Sequence, residues 1–253
     1  MSAARRRHKS TSAAVYAFFG GLLVLLFVVF GTGVFLRVNE IEITGNSVYT
    51  GDEILEASGI TTGKNLLFIN KNSISRKIYA SMPLISKIEI KKNIPDKVII
   101  NVSETKGIAV IEYRDSNVLI DSSCKVLGEA DNSSNGMILV RGFTPSGANV
   151  GSELTVDSSD NRKLSSLKDV LNELEKAGIE KDVSFINVTN IANISFKYQK
   201  RFSVILGVAD NIQNKLSGLP GIIRDIESRA PRDEQWVINL SDRQELWRWF
   251  PEQ

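Results

Sequence analysis

Histidine and cysteine, the side chains that most often serve as base, nucleophile or metal ligand, occur once each in this chain, as His8 and Cys124. His8 stands in a short basic tail, so nothing beyond it can form a Ser-His-Asp or Cys-His arrangement. One cysteine and no further imidazole also leave only carboxylates for zinc. No glycine-rich phosphate loop occurs. A pair of carboxylates is the remaining catalytic possibility, but 29 acidic residues set against 31 basic ones read as ordinary surface charge. The net charge of +2, with both signs well mixed, gives no footprint for nucleic acid. The expectation is no catalytic residue, no metal, no cofactor and no small-molecule substrate. Cys124 cannot form an internal disulfide; it reads as a half-buried strand residue or, alternatively, as an exposed thiol. The chemistry left is that of an interface. Leu246, Trp247, Arg248, Trp249 and Phe250 crowd large apolar groups and a guanidinium into five residues near the C-terminus.

The elements that position this cluster begin at the other end of the chain. Ser10 to Leu36 contains no Asp, Glu, Lys or Arg, and from Ala13 it is almost wholly apolar. A helix of about 24 residues rises about 36 Å, enough to cross a hydrocarbon core of about 30 Å. Arg5, Arg6, Arg7 and Lys9 precede the stretch and only Arg37 directly follows it. The positive-inside rule then puts the N-terminus in the cytoplasm and the bulk of the chain outside. A cleaved signal peptide is the competing reading; the apolar run is too long for one, and no clean A-x-A site follows. The expected divisions are a cytoplasmic tail (1–12), a transmembrane helix (13–36), a first exported domain (37–106) and a second (107–253).

In the first exported domain Val38 to Thr44 alternates polar and apolar residues, as a half-buried strand does. Thr50-Gly-Asp-Glu53 reads as a capping box ahead of a short helix closed by Gly59. A second helix starts near Asn72, buries Ile74 and Ile78, and stops before Pro83. Leu84 to Lys92 and Lys97 to Glu104 are strands joined at Asn93-Ile94-Pro95-Asp96, with Val98, Ile100 and Val102 on one face. The order is β-α-α-β-β. Beyond it, Ile108 to Tyr113 and Val118 to Asp121 suggest a hairpin around Asp115-Ser116-Asn117, and Asp131 to Gly136 a loop. Met137 to Val140 is a short strand. Asn161 to Ala177 carries Leu164, Leu167, Leu171 and Leu174 at helical spacing and ends at Gly178. Strands follow at Val183 to Val188, Ile194 to Tyr198, Phe202 to Leu206 and Trp236 to Leu240. Between the last two, Asn211 to Glu227 is helical in pattern but should be kinked or split at Pro220.

Three groups of residues carry a family resemblance. They are Val38-x-x-Ile41-x-Ile43-x-Gly45-Asn46, Gly63-x-Asn65-Leu66, and Ile94-Pro95-Asp96-Lys97-Val98-x-Ile100-x-Val102-x-Glu104. Together they resemble the POTRA domain of the FtsQ/DivIB cell-division proteins, which follows a single membrane helix as it would here. Gly107-Ile108-Ala109 departs from the family, which usually has a proline there. The resemblance implies a fold of α+β class: a transmembrane helix, a POTRA module, then a mainly antiparallel β domain with two or three helices. It further implies a non-enzymatic scaffold that binds FtsB/DivIC-like and FtsL-like partners at the division septum and helps control septal peptidoglycan synthesis. A membrane-anchored cell-wall enzyme using carboxylates and a POTRA-type polypeptide-transport component are the alternatives.

In LWRWF, Trp247 and Trp249 share one strand face, and Leu246, Arg248 and Phe250 the other. Large groups stand on both, so this terminal strand is the candidate edge for a partner's strand. The hairpin Ile194 to Leu206 is the second candidate. A fragment of residues 38–104 should melt cooperatively, with a midpoint unchanged by chelator or reductant; a disordered spectrum would refute the proposed boundary.

Overall fold

The computed structural model describes residues 11–131, 134, 136–229, 234–241 and 248–251. The basic tail with Arg5, Arg6, Arg7, His8 and Lys9 lies outside them, as does half of the 131–136 loop. Helix α1, Thr11–Phe35, runs 25 residues without a charged side chain, and its apolar residues are spread round the whole axis. Among the described residues no helix is long and apolar enough to cross a membrane. In α1, side chains are described without a break only over 15–27, less than the roughly 20 residues that a crossing needs.

The chain divides into two units. The described residues of Met1–Ser81 and Lys87–Glu104 make the first, and those of Met82–Ser86 and Thr105–Gln253 the second.

In the first unit, after α1, come β1 (Glu40–Thr44), α2 (Gly51–Ser58), α3 (Lys71–Ser81), β2 (Ile85–Asn93) and β3 (Lys97–Glu104). Strand β3 lies between β1 and β2 and runs parallel to β1, with Ile41 opposite Val98 and Ile43 opposite Ile100. Val98, Ile100 and Val102 are buried, as are Ile54 on α2 and Ile74 and Ile78 on α3. Each such side chain gains about 1.5–3 kcal/mol from leaving water. The capping box forms as the residues imply: Thr50 Oγ1 accepts from Glu53 N at 3.3 Å, and Glu53 Oε2 accepts from Thr50 N at 2.8 Å. Gly59 closes the helix in the left-handed region at φ 65°. Gly45 has φ 83°, and a Cβ there would run into the Val102 carbonyl, so this turn admits only glycine.

The second unit holds one nine-stranded sheet. Its strands are β4 (Ala109–Tyr113), β5 (Ser116–Ile120), β6 (Val126–Glu129), β7 (Ile138–Arg141), β8 (Val183–Asn187), β9 (Ile194–Tyr198), β10 (Phe202–Gly207), β11 (Trp236–Asn239) and β12 (Arg248–Pro251). Their spatial order is β12-β11-β10-β9-β8-β7-β4-β5-β6. Helix α4, Asn161–Ala177, lies between β7 and β8 in sequence, and α5, Ile212–Arg229, between β10 and β11. The two helices pack on each other and bury their apolar stripes in the core shared with the strands.

Several expectations need correction. The sheet is mainly antiparallel as expected, but not throughout: β4–β7, β7–β8 and β10–β11 are parallel pairs. A tight turn cannot join parallel strands, and α4 and α5 provide two of the long crossovers that such pairs require. Pro220 does not split α5, which is assigned as one helix through it. Leu219, Ile223 and Ile226 are buried on both sides of the proline, and their burial offsets a local cost of about 3 kcal/mol. The first hairpin turns one step early, at Arg114-Asp115, with Arg114 at φ 56°. Cys124 is neither in a strand nor exposed; it is fully buried in a turn at φ 60°.

One carboxylate ties the first unit together. Glu104, at the end of β3, accepts from Ser47 N (2.8 Å), Ser47 Oγ (2.6 Å), Val48 N (2.7 Å) and Tyr49 N (3.0 Å). Burial raises its pKa, but the bonds from the Ser47 hydroxyl and three backbone N–H groups outweigh this and hold it at about 2. A folded-state pKa below the unfolded value of about 4.5 stabilises the fold in full above pH 4.5. That stability is lost as pH falls from 4.5 through 2. Glu104→Gln should therefore lower the melting midpoint at pH 7 and flatten its pH dependence between 4.5 and 2, as thermal melts across that range would show.

Candidate functional site

Strand β12 is the outermost strand at one end of the nine-stranded sheet. It pairs antiparallel with β11, placing Arg248 opposite Asn239, Trp249 opposite Ile238, Phe250 opposite Val237 and Pro251 opposite Trp236. Ile238 and Trp236 are buried, while Val237 and Asn239 are half-buried. Of the candidate site residues, Arg248, Trp249 and Phe250 stand in this strand, and Leu246 and Trp247 lie outside the described residues. The structure corrects the second candidate edge. Hairpin strands β9 and β10 sit inside the sheet, β9 against β8 and β10 against β11, so neither has an edge to offer.

The two ends of the sheet differ. At the far end, β6 is flanked by the segment that follows it in sequence. Val126 N donates to Ser152 O at 2.8 Å, Gly151 N to Val126 O at 2.8 Å, and Leu154 N to Cys124 O at 2.9 Å. Among the described residues no strand lies beyond β12. In an antiparallel pair about half of an edge strand's N–H and C=O groups point away from its partner. Strand β12 is short, and Pro251, which has no N–H, limits how far another strand can extend along it.

The titratable groups with displaced pKa values are engaged in the fold. Burial pushes the Cys124 thiol up, opposite to the shift that makes a thiol reactive. Lys215 is buried, which lowers its pKa, and its Nζ donates to Leu206 O (3.0 Å), Val208 O (2.8 Å) and Asp210 Oδ1 (2.8 Å). It thereby joins the end of β10 to the start of α5. Asp121 Oδ1 accepts from Ser123 N, Ser123 Oγ and Lys125 N, shaping the turn that carries Cys124. Asp121-x-Ser123 is the signature of such a side-chain turn and could have been read from the sequence. A cleft of about 500 Å³ between α4 and α5 is walled in part by Glu173, Lys176, Tyr198 and Leu216. The carboxylate in its wall, Glu173, is paired with Lys176 at 2.6 Å. Among the described residues no group of three His, Cys, Asp or Glu could hold a metal.

The profile of the POTRA domain, FtsQ-type, matches residues 36–105. Those residues are an FtsQ-type POTRA domain. Relatives extend the likeness beyond it. The cell division protein DivIB of Clostridium tetani is 26% identical over 82% of this chain and 77% of its own length. That of Clostridium acetobutylicum is 25% identical over 75% of this chain and 74% of its own. The chain is thus related in sequence to the DivIB/FtsQ cell-division proteins. A solved structure of the major extracytoplasmic domain of DivIB from Geobacillus stearothermophilus, in its trans isomer, covers 51% of this chain and 99% of itself at 13% identity. Its TM-score of 0.31 is too low to speak for a common fold. Within the POTRA domain, Glu104 is the residue whose role sequence reasoning missed, because its donors stand more than 50 positions away.

Beyond the POTRA domain, Glu180 is 8% exposed and accepts from Lys106 Nζ at 2.7 Å, while its Oε2 has no partner. Burial raises the Glu180 pKa, but the Lys106 bond, a bond from its own backbone N–H and the charges of Lys106 and Lys181 together more than reverse this. Lys106→Met would strand a buried carboxylate and should cost about 1–3 kcal/mol. Denaturant melts should show part of that loss recovered in the double variant Lys106→Met, Glu180→Gln.

Proposed function

We propose that this protein is a single-pass membrane scaffold of the bacterial division machinery, and that it acts by binding rather than catalysis. Its relatives carry the names of cell division proteins, which supports a role in division. The proposed layout is a cytoplasmic tail over 1–12, a membrane helix over 13–36, the POTRA domain over 37–106 and an extracytoplasmic β domain over 107–253. Helix α1 exposes Tyr16, Phe18, Phe19, Leu23 and Phe27. A helix apolar all round belongs in a membrane or a core.

The observation that supports the binding role is the position of β12 at the end of the sheet, with no strand beyond it among the described residues. An FtsB/DivIC-like partner adds a strand along β12, with FtsL-like protein in the same assembly, and the complex helps control septal peptidoglycan synthesis. Backbone hydrogen bonds supply register and alternate side chains supply specificity. Leu246 to Phe250 are the docking residues, with Trp247, Arg248 and Trp249 the leading hot spots by residue type.

The register divides the labour within β12. Trp249 takes the position opposite buried Ile238, and Arg248 the position opposite half-buried Asn239. Trp249→Ala should therefore lower the melting midpoint, while Arg248→Ala should leave it unchanged. Arg248→Ala should instead weaken binding of an FtsB/DivIC-type partner by about 2 kcal/mol, roughly thirtyfold in Kd. Titrating each alanine variant at 247, 248 and 249 with the partner tests this. Three folded variants of unchanged affinity would remove β12 as the docking site.

A further inference from the structure

Outside α1, the large apolar side chains left exposed among the described residues are Val48, Leu67, Phe68, Ile94, Val150 and Val208. Leu67, Phe68 and Ile94 gather where the chain leaves α1. The residues after the helix are laced to the loop that carries Leu67 and Phe68. Leu66 N donates to Leu36 O at 2.7 Å, Val38 N to Lys64 O at 2.9 Å, and Gly63 N to Val38 O at 2.8 Å. They are laced equally to the turn that carries Ile94: Asn39 N donates to Asp96 O at 2.8 Å, and Asn39 Nδ2 to Asp96 Oδ2 at 3.1 Å. Lys92 Nζ joins the two loops by donating to Leu67 O at 3.1 Å. Strand β1 then carries the chain away at about 3.3 Å per residue, so Val48, beyond its end, lies at the opposite side of the module.

The short 3-10 turn Leu66–Phe68 shows how these side chains are directed outward. Asn65 Oδ1 caps it by accepting from Leu67 N at 2.9 Å. Leu66 and Ile69 are buried on either side, which leaves Leu67 53% and Phe68 85% exposed. Folding has inserted the flanking residues into the core and turned the two between them to the outside. Beside Phe68 opens a cleft of about 240 Å³ whose walls include Lys64 and Lys77, both exposed. The carboxylates nearby are held by other groups: Glu40 and Glu42 by Lys97 at 2.8 and 2.6 Å, and Asp96 by Asn39.

We infer that this end of the POTRA domain is a membrane-docking face. Phe68, Leu67 and Ile94 enter the outer boundary of the acyl region, and Lys64 and Lys77 meet phospholipid phosphates. The inference rests on the proposed membrane crossing of α1, and continuity with that helix names a phospholipid surface as the occupant. Apolar side chains flanked by lysine suit the boundary between headgroup and acyl chain. Docking at two loops fixes the tilt of the module on the membrane, which a single flexible exit from α1 would not.

The test uses the full chain, one copy per nanodisc of phosphatidylcholine with phosphatidylglycerol. Single variants Phe68→Cys, Ile94→Cys, Val48→Cys and Leu23→Cys are labelled with an environment-sensitive fluorophore and challenged with nitroxide-bearing lipid. Cys124 is buried and stays unlabelled. Labels at 68 and 94 should shift to shorter wavelength and be strongly quenched, and the label at 48, equally apolar, should do neither. If 68 and 94 behave like 48 while 23 is quenched, the docking face is wrong and the membrane helix stands. If 23 is not quenched, the membrane reading itself fails, and this inference with it. A shift to shorter wavelength at 68 and 94 that comes without quenching, and only with two chains per disc, would mean that a second copy covers the face, which also overturns the inference.

Discussion

The constraint on which the rest depends is that α1 presents apolar side chains on every side. Burying such side chains is worth about 25 cal/mol for each Å² removed from water. No amphipathic packing against one neighbour could satisfy a helix that is apolar all round. Whatever surrounds α1 therefore sets where the chain begins the rest of its first unit. The hydrogen bonds of residues 36–40 to both the 63–66 loop and Asp96 make that beginning part of the POTRA fold rather than a loose tether.

The second unit is governed by a different constraint, the need to cover one face of a nine-stranded sheet. Helices α4 and α5 do this because they are crossovers. Each leaves one strand of a parallel pair and returns to the next, and they meet each other on the way. Their stripes, Leu164 to Leu174 and Ile212 to Ile226, are buried in the core that holds Ile138, Ile186, Phe196, Val204 and Ile238. A sheet built this way has two ends. The turn around Cys124 and the 151–154 segment occupy one, and the chain's last described strand forms the other. The asymmetry between these ends arises from where the loops run, not from the strands themselves.

What could be read in the sequence was what is local. The Thr50–Glu53 box, the αL glycines 59 and 178 and the limits of α4 follow from neighbours within one or two turns, and the structure agrees with them. The alternation of β3 was equally plain. Long-range facts were hidden. Parallel pairing of β7 with β8 leaves no mark on either strand, though the intervening helix was a clue. Strand β6 went unread because Val126-Leu127-Gly128-Glu129 neither alternates nor avoids glycine. Pro220 carried its usual meaning as a helix breaker, and tertiary burial on both sides overrode it. Of the candidate site, the placement of Trp249 and Phe250 on a late strand was legible, but its neighbour and register were not, since only pairing with β11 gives them.

Strand β12 has two features that act against each other, and together they bear on the proposed docking. An open edge invites any extended chain, and a long one invites aggregation. Among the described residues the edge is four residues long and ends in Pro251. Backbone pairing over so short a span supplies few hydrogen bonds, each worth only about 0.5–1.5 kcal/mol net. An incoming strand would gain little from the backbone alone and would depend on the side chains of the adjoining residues. That favours a partner complementary to Trp and Arg over indiscriminate strand addition. If a partner docks along β12 as proposed, so short a backbone edge lowers the affinity for every extended chain and leaves discrimination to side chains.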